Sequence, residues 1–388
     1  SSWYKEGHAY GKIYSFDLTE GKVKSILVDG GVTNLEVSPD GKRVYVGTNY
    51  PEIQTKNNIL VLDTQSDTMV GTISLNKSKF GWVYTGGYKM QIDPTNPNLL
   101  YATNVDANAL LKINLDNLTL ADVLIFNQES FQPRLFVRRP GQATGYILIH
   151  NSSNAFELDL NSATIKNVVK FPALSSVSVY DVAINDAGIM FIAQGNNILE
   201  VDTKDMSLLA IHQLPKDIPT VWNFVLSRNQ KALYSMAQER GAEYQNIFLA
   251  IDTTNFQVKA NFKLEGGEFQ QPYELSDSSK LYVLGGIRII GPVVIHVISK
   301  DNYSIQKTIT FDEPEYLGSV GIPQYTYAYD PNSHTLFVGG THVVLAIDTN
   351  TDTIKKVIYL KDVAEAIGFE DLHWWELTST NAVGLFYN

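Results

Sequence analysis

The chain has 388 residues, 44% of them hydrophobic and 18% charged, and its formal net charge is −11. That hydrophobic share is ordinary for a well-filled core, and the negative balance argues against nucleic acid or anionic membrane as a partner, both of which need basic patches. There is no cysteine, which excludes disulfides, thiolate metal sites and covalent C-x-x-C-H haem on this chain.

From the N-terminus onward one short signal returns: an apolar strand, an acidic or turn residue, a polar turn, then a second apolar strand. It falls at Asp17, Asp63, Asn114, Asp159, Asp202, Asp252, Ser299 and Asp348, at steps of 43 to 51 residues. A period in the forties in an all-strand pattern specifies a β-propeller, with one four-stranded antiparallel blade per roughly 40–50 residues. Between these signals lie eight copies of a second unit, strand–tight turn–strand. The clearest are 35–47 and 327–339, whose Pro39-Asp40-Gly41 and Pro331-Asn332-Ser333 supply turn chemistry. Further copies start near Tyr88, Arg134, Tyr180, Trp222, Tyr273 and Trp375. The chain opens with half of a blade, 12–28, and closes with the other half, 375–387. Pairing these terminal halves would close a ring and remove sheet edges. The expectation is all-β: a single β-propeller domain over 1–388 with eight blades, or seven if one terminal unit is only an appended strand.

The turns inside each two-strand unit are short, and the links between units carry the extra length: 50–57, 76–87, 238–246, 312–324 and 361–372. In an up-and-down blade these links leave from one face, which is where binding residues collect. Within 361–372 the spacing of Val363, Ala366 and Ile367, stopped by Gly368, predicts the one helix. No apolar stretch reaches the roughly 18 residues of a spanning helix; the longest, 287–298, is broken by Arg288, Gly291, Pro292 and His296. The Ser1-Ser2-Trp3 start fits an extracytoplasmic chain, periplasmic or extracellular, whose signal peptide has been removed.

Motifs for chemistry are sparse. The seven histidines show no H-x-x-x-H spacing, so no metal site is expected. Asp348-Thr349-Asn350-Thr351-Asp352 begins like a calcium loop, but Thr353 stands where its Gly belongs and Tyr359 where its Glu belongs, and the segment coincides with the recurring turn. No P-loop, dinucleotide fingerprint or nucleophile elbow occurs. Four N-x-S/T sequons are no more than an Asn- and Ser-rich chain produces by chance. Aligning the innermost strands on Asn34 gives Asn34, Lys89, Arg134, Asp181, Asn223, Pro272, Thr326 and Trp374. The polar members Asn34, Lys89, Arg134, Asp181 and Asn223 are the expected channel-mouth binding residues, and Lys89, Arg134 and Asp181 on consecutive blades would form an ion pair or anion clamp. The aromatic-rich links, with Phe80, Trp82 and Tyr84, Tyr244, and His373, Trp374 and Trp375, are the expected partner interface, because such side chains bury large area at little entropic cost. No catalytic residue is assigned.

The run 38–46 (Ser-Pro-Asp-Gly-Lys-Arg-Val-Tyr-Val), followed by 58–64 (Asn-Ile-Leu-Val-Leu-Asp-Thr), resembles the repeat of YVTN-type β-propellers. These include archaeal surface-layer propellers and propeller subunits of periplasmic redox complexes, such as the β chain of quinohaemoprotein amine dehydrogenase and the propeller subunit of hydrazine synthase. The resemblance spans essentially the whole chain, but its motifs are structural. It implies an exported, non-catalytic subunit with no cofactor of its own, holding a haem- or quinone-bearing protein subunit against one face. The redox subunits of this kind are seven-bladed, one fewer than the count read above. A surface-layer or adhesive module, and an enzyme with its site at the channel mouth, are the alternatives.

Overall fold

The computed structural model describes residues 2–5, 8–16, 23–29, 31–49, 58–75, 90–104, 108–126, 133–149, 154–171, 179–218, 220–239, 245–265, 268–269, 272–286, 293–312, 327–339 and 343–359. The chain divides into two compact units, Ser1–Val168 with Lys361–Asn388, and Val169–Leu360.

The first unit begins with a three-stranded sheet of β1 (Ser2–Lys5), β2 (His8–Phe16) and β3 (Val23–Asp29). Three four-stranded sheets follow. They are β4 (Gly31–Val37), β5 (Arg43–Asn49), β6 (Asn58–Asp63) and β7 (Thr68–Ser74); β8 (Met90–Asp93), β9 (Asn96–Asn104), β10 (Ala109–Asn114) and β11 (Thr119–Ile125); and β12 (Pro133–Arg138), β13 (Thr144–Ile149), β14 (Asn154–Asp159) and β15 (Thr164–Lys170).

The second unit holds β16 (Val179–Ile184), β17 (Ile189–Gln194), β18 (Asn197–Asp202) and β19 (Ser207–Gln213), then β20 (Val221–Leu226), β21 (Ala232–Glu239), β22 (Gln245–Asp252) and β23 (Val258–Leu264). In the next sheet the first strand comes in two pieces, β24 (Glu268–Phe269) and β25 (Tyr273–Glu274), both paired to β26 (Lys280–Gly286), with β27 (Val293–Ser299) and β28 (Ile305–Phe311) completing it. Pro272 lies directly before β25 and has no N–H to give to a ladder. The last sheet is β29 (Tyr327–Asp330), β30 (Thr335–Gly339), β31 (Val343–Asp348) and β32 (Thr353–Tyr359).

All these pairings are antiparallel and join strands in sequence order, which makes the fold a β-propeller of four-stranded blades. Among the described residues seven blades are four-stranded, which corrects the expected eight and agrees with the alternative count of seven. The eighth repeat signal belongs to the three-stranded β1–β2–β3 sheet. The closing unit 375–387 and the helix expected over 361–372 lie outside the described residues.

Position in the sheet explains the sequence pattern. Inner strands are covered on both faces and are almost continuously apolar: all of β13 is buried, and so are six of the seven residues of β27. Last strands are covered on one face and alternate, as in β19. Consecutive sheets pack face to face within each unit. Ile59, Ile73, Leu100 and Leu111 join the second and third sheets of the first unit; Phe191, Ile198, Leu233 and Leu249 join the first two sheets of the second. Each such fully buried side chain stabilises the fold by roughly 1.5–3 kcal/mol.

The recurring acidic signal is the turn between third and fourth strands. Asp63 Oδ1 accepts the Gln65 and Ser66 N–H at 3.1 and 2.8 Å; Asp348 Oδ1 accepts those of Asn350 and Thr351 at 2.9 and 3.1 Å; Asn114 and Asp159 act likewise. Four residues after the acid the chain enters the left-handed region, at Asp67, Leu118, Ala163, Met206, Phe256, Tyr303 and Asp352. The Thr following the acid ties this turn to the one between strands one and two. The hydroxyls of Thr64, Thr203, Thr253 and Thr349 donate to the carbonyls of Gly41, Gly188, Gln230 and His334 at 2.7, 2.5, 2.7 and 3.0 Å. Asp-Thr is thus a staple closing one end of the blade, each hydroxyl bond contributing about 1 kcal/mol. The links between second and third strands, and between blades, leave from the opposite end.

A second repeated device joins neighbours within a unit: an aromatic on the second strand reaches the left-handed turn of the next sheet. Tyr45 shares a cluster with Leu118, Phe191 packs on Phe256 at 5.9 Å, Tyr234 on Tyr303 at 6.4 Å, and the Tyr282 hydroxyl donates to Asp352.

Candidate functional site

The first strand of each sheet carries the residues expected at a channel mouth, and at those positions the ladder is irregular. In the first unit the pairing of β4 with β5 slips between Val32 and Asn34, and that of β12 with β13 between Pro133 and Leu135, which leaves Arg134 without a cross-strand partner. In the second unit β16 slips between Val179 and Asp181, and β20 between Trp222 and Val225, around Asn223. Bulges of this kind re-aim side chains and are common beside functional sites. By pairing with the second strand, Asn34, Asp181 and Asn223 are equivalent positions, each two residues before the one opposite Tyr45, Phe191 and Tyr234, whereas Leu135 and not Arg134 holds that place before Val137 opposite Tyr146. Asn34 and Asp181 are half-buried, and Asp181 Oδ1 accepts the Val182 N–H at 2.8 Å. Lys89 lies outside the described residues, as do Phe80, Trp82, Tyr84, Tyr244, His373, Trp374 and Trp375. The joint arrangement of the five, and any clamp formed by Lys89, Arg134 and Asp181, stays an expectation.

Two charged clusters went unread in the sequence. In the first unit Arg138 and Asp93 form an ion pair with side chains 4% and 3% exposed, Nη1 standing 2.8 Å from Oδ1 but off the hydrogen-bond axis. Arg138 Nη2 donates to the Gln142 carbonyl at 3.2 Å, and the guanidinium lies 5.9 Å from the centre of the Tyr101 ring. Burial pushes the Asp93 carboxyl up, but hydrogen bonds from Thr95 and the Arg138 charge outweigh it and hold the group below the usual carboxylate range. Burial pushes the Tyr101 phenol up to about 12. In the second unit Asp352 accepts from Lys280 Nζ at 2.7 Å and from the Tyr282 hydroxyl, while Lys280 also donates to the Thr349 carbonyl at 2.7 Å. Burial, then the bond to Asp352, raises the Tyr282 phenol. This geometry makes 348–352 a blade turn, its acids occupied by backbone N–H groups, a lysine and a tyrosine. Among the described residues no three His, Cys, Asp or Glu converge as metal ligands. Both clusters join adjacent sheets and are structural.

His296, on β27, is 4% exposed. Its Nδ1 meets Thr308 Oγ1 and its Nε2 the Glu265 carbonyl, both at 3.0 Å. Burial lowers its affinity for a proton below the ordinary histidine range. The unfolded chain therefore binds this proton more readily than the native one, so stability is full above about pH 6.5 and falls as pH drops below it. Denaturant midpoints of the native protein are expected to drop between pH 7.5 and 5.5, and His296→Gln to flatten that slope.

No family model matches the sequence, and no curated protein matches it either. Solved structures do. Over 90% of this chain and 70% of the other, it is similar to the dihydro-haem d1 dehydrogenase NirN in complex with DHE, with a TM-score of 0.68 and 10% identity. It is similar to hydrazine synthase of Kuenenia stuttgartiensis over 84% of this chain and 95% of the other, with a TM-score of 0.56 and 12% identity. It is similar to the WD40 repeats of RRP9 over 80% and 87%, with a TM-score of 0.55 and 11% identity. At such identities the likeness establishes the fold alone.

Proposed function

We propose that the chain is a non-catalytic propeller subunit of an extracytoplasmic redox complex, and that it holds a haem- or quinone-bearing protein partner against the end of its blades from which the long links leave. The observation that carries this reading is the difference between the two blade ends. One end is closed by the Asp-Thr staples, with hydroxyl-to-carbonyl bonds of 2.5 to 3.0 Å in four blades; the other carries the connections whose length varies from blade to blade. Recognition is placed on variable connections held by a rigid scaffold. The likeness to NirN and to hydrazine synthase supports a redox setting, as does the resemblance to YVTN-type subunits.

Native mass spectrometry of the complex purified from its source, with an absorption spectrum of the same sample, tests the proposal. The expected result is a stoichiometric partner bearing a haem or quinone chromophore, with the isolated chain colourless. A chain that purifies alone, or one that turns over a substrate by itself, overturns it.

A further inference from the structure

The turn between first and second strands holds a left-handed residue whose carbonyl takes the staple hydroxyl. In two blades it is a glycine, Gly41 at φ 73° and Gly188 at φ 83°, which adopts that backbone at no steric cost. The last sheet puts His334 there, at φ 48°. A β-carbon in that region is strained, and such strain persists where the side chain has a task that glycine cannot perform. Gln230, at φ 61°, is the other non-glycine case, and it reaches the preceding sheet to accept the Asp186 N–H at 3.0 Å. The imidazole of His334 also reaches the preceding sheet, where it meets a carboxylate.

That carboxylate is Asp277, in the turn between β25 and β26, and Tyr329 of β29 joins it. The Tyr329 hydroxyl donates to Oδ1 and Oδ2 of Asp277, 2.9 Å from each. His334 Nδ1 stands 3.4 Å from that hydroxyl and 3.5 Å from Asp277 Oδ2. An imidazole nitrogen, a carboxylate oxygen and a phenol oxygen therefore form a triangle with edges of 2.9, 3.4 and 3.5 Å. A tetrahedral zinc ion with ligands at 2.0–2.2 Å sets them roughly 3.3–3.6 Å apart, so an ion about 2.1 Å from all three atoms would sit roughly 0.9 Å above this triangle. The side chains of His334 and Asp277 are 48% and 35% exposed, which leaves a path for an ion and a place for water as fourth ligand. The N–H and hydroxyl of Thr349 donate to the His334 carbonyl at 2.8 and 3.0 Å and fix its backbone. Asp330 adds negative charge near His334, while its own oxygens accept from the Asn332 N–H and the Ser333 hydroxyl.

We propose that His334, Asp277 and Tyr329 bind a divalent transition cation of the zinc class at the stapled end of the blades. The donor set selects the ion: imidazole suits zinc and copper, whereas calcium and magnesium take sets of oxygens. Binding displaces the phenol proton to solvent, as ligands must be deprotonated to coordinate. The three ligands come from two neighbouring sheets and one of them is a tyrosine, so no spacing of histidines, cysteines or acids in the sequence announces the site.

Calorimetric titration of the full, untagged chain with Zn²⁺ alone, beside thermal midpoints with and without the ion, tests this. The expected result is one ion per chain at micromolar affinity and a midpoint that rises with Zn²⁺. His334→Gly removes the imidazole at a position whose backbone suits glycine, so without metal it should unfold no lower than the native chain. It should bind Zn²⁺ more weakly by roughly tenfold or more, and Tyr329→Phe likewise. Co²⁺ in place of zinc should give the visible absorption of a four-coordinate ion in the native chain and lose it in His334→Gly. A native chain that takes up no stoichiometric Zn²⁺, or one whose affinity is the same in both variants, overturns the proposal.

Discussion

Asp93→Ala is expected to lower the unfolding free energy by about 3–5 kcal/mol, because it strands a buried guanidinium. The Arg138 side chain is 4% exposed, and without Asp93 it keeps the Gln142 carbonyl as a hydrogen-bond acceptor, with the Tyr101 ring alongside. The same carboxylate also caps the β8–β9 turn, accepting the Thr95 N–H at 2.8 Å, the Thr95 hydroxyl at 2.7 Å and the Asn96 N–H at 3.2 Å. Adding Arg138→Met should recover much of the loss, since replacing both ions with apolar groups removes the desolvation cost. Denaturant titration of the single and double variants measures this. A loss under about 1 kcal/mol for Asp93→Ala would mean that the pair is solvated and the argument wrong.

Gly145→Val is expected to cost roughly 3 kcal/mol, at the upper end of overpacking effects. A Cβ at Gly145 would stand 2.8 Å from Cε2 of Phe136 and 3.1 Å from Cδ2 of Leu160. Both neighbours are 1% exposed, so neither can swing into solvent. The requirement is for space and not for backbone freedom, so Gly145→Ala should cost less than Val but still more than a surface change. Thermal unfolding of both variants decides it, and a Val variant as stable as the native protein would contradict the packing described.

The blade pattern was readable in the sequence because each Asp-Thr dipeptide does two local jobs at once, and local hydrogen bonds leave a local signature. The first-strand register was readable in part: Asn34, Asp181 and Asn223 are equivalent in the pairing, but the alignment put Arg134 where Leu135 stands. The slips in pairing beside them were not, since only the one in β12 has a Pro, Pro133, at its edge. The blade count came out one too high because a strand signal does not say which sheet it completes; the β1–β2–β3 sheet has three strands among the described residues. Arg138–Asp93 and Tyr282–Asp352 were illegible because each pair joins positions a full repeat or more apart, and residue type alone does not choose among the many acids and bases at turns.

The left-handed residue of each third-to-fourth-strand turn and the aromatic of each second strand act as peg and socket between neighbours. Phe256 against Phe191 and Tyr303 against Tyr234 use non-glycine residues in a backbone region that disfavours them, so the interlocking offsets part of that strain. At the four junctions described, a repeat of about 45 residues brings its own peg for the sheet before it, and its second-strand aromatic serves as socket for the sheet after it. Duplication or loss of one whole repeat conserves the interlock, whereas an insertion of half a repeat does not. Such a chain can lengthen or shorten by complete modules without redesigning any junction.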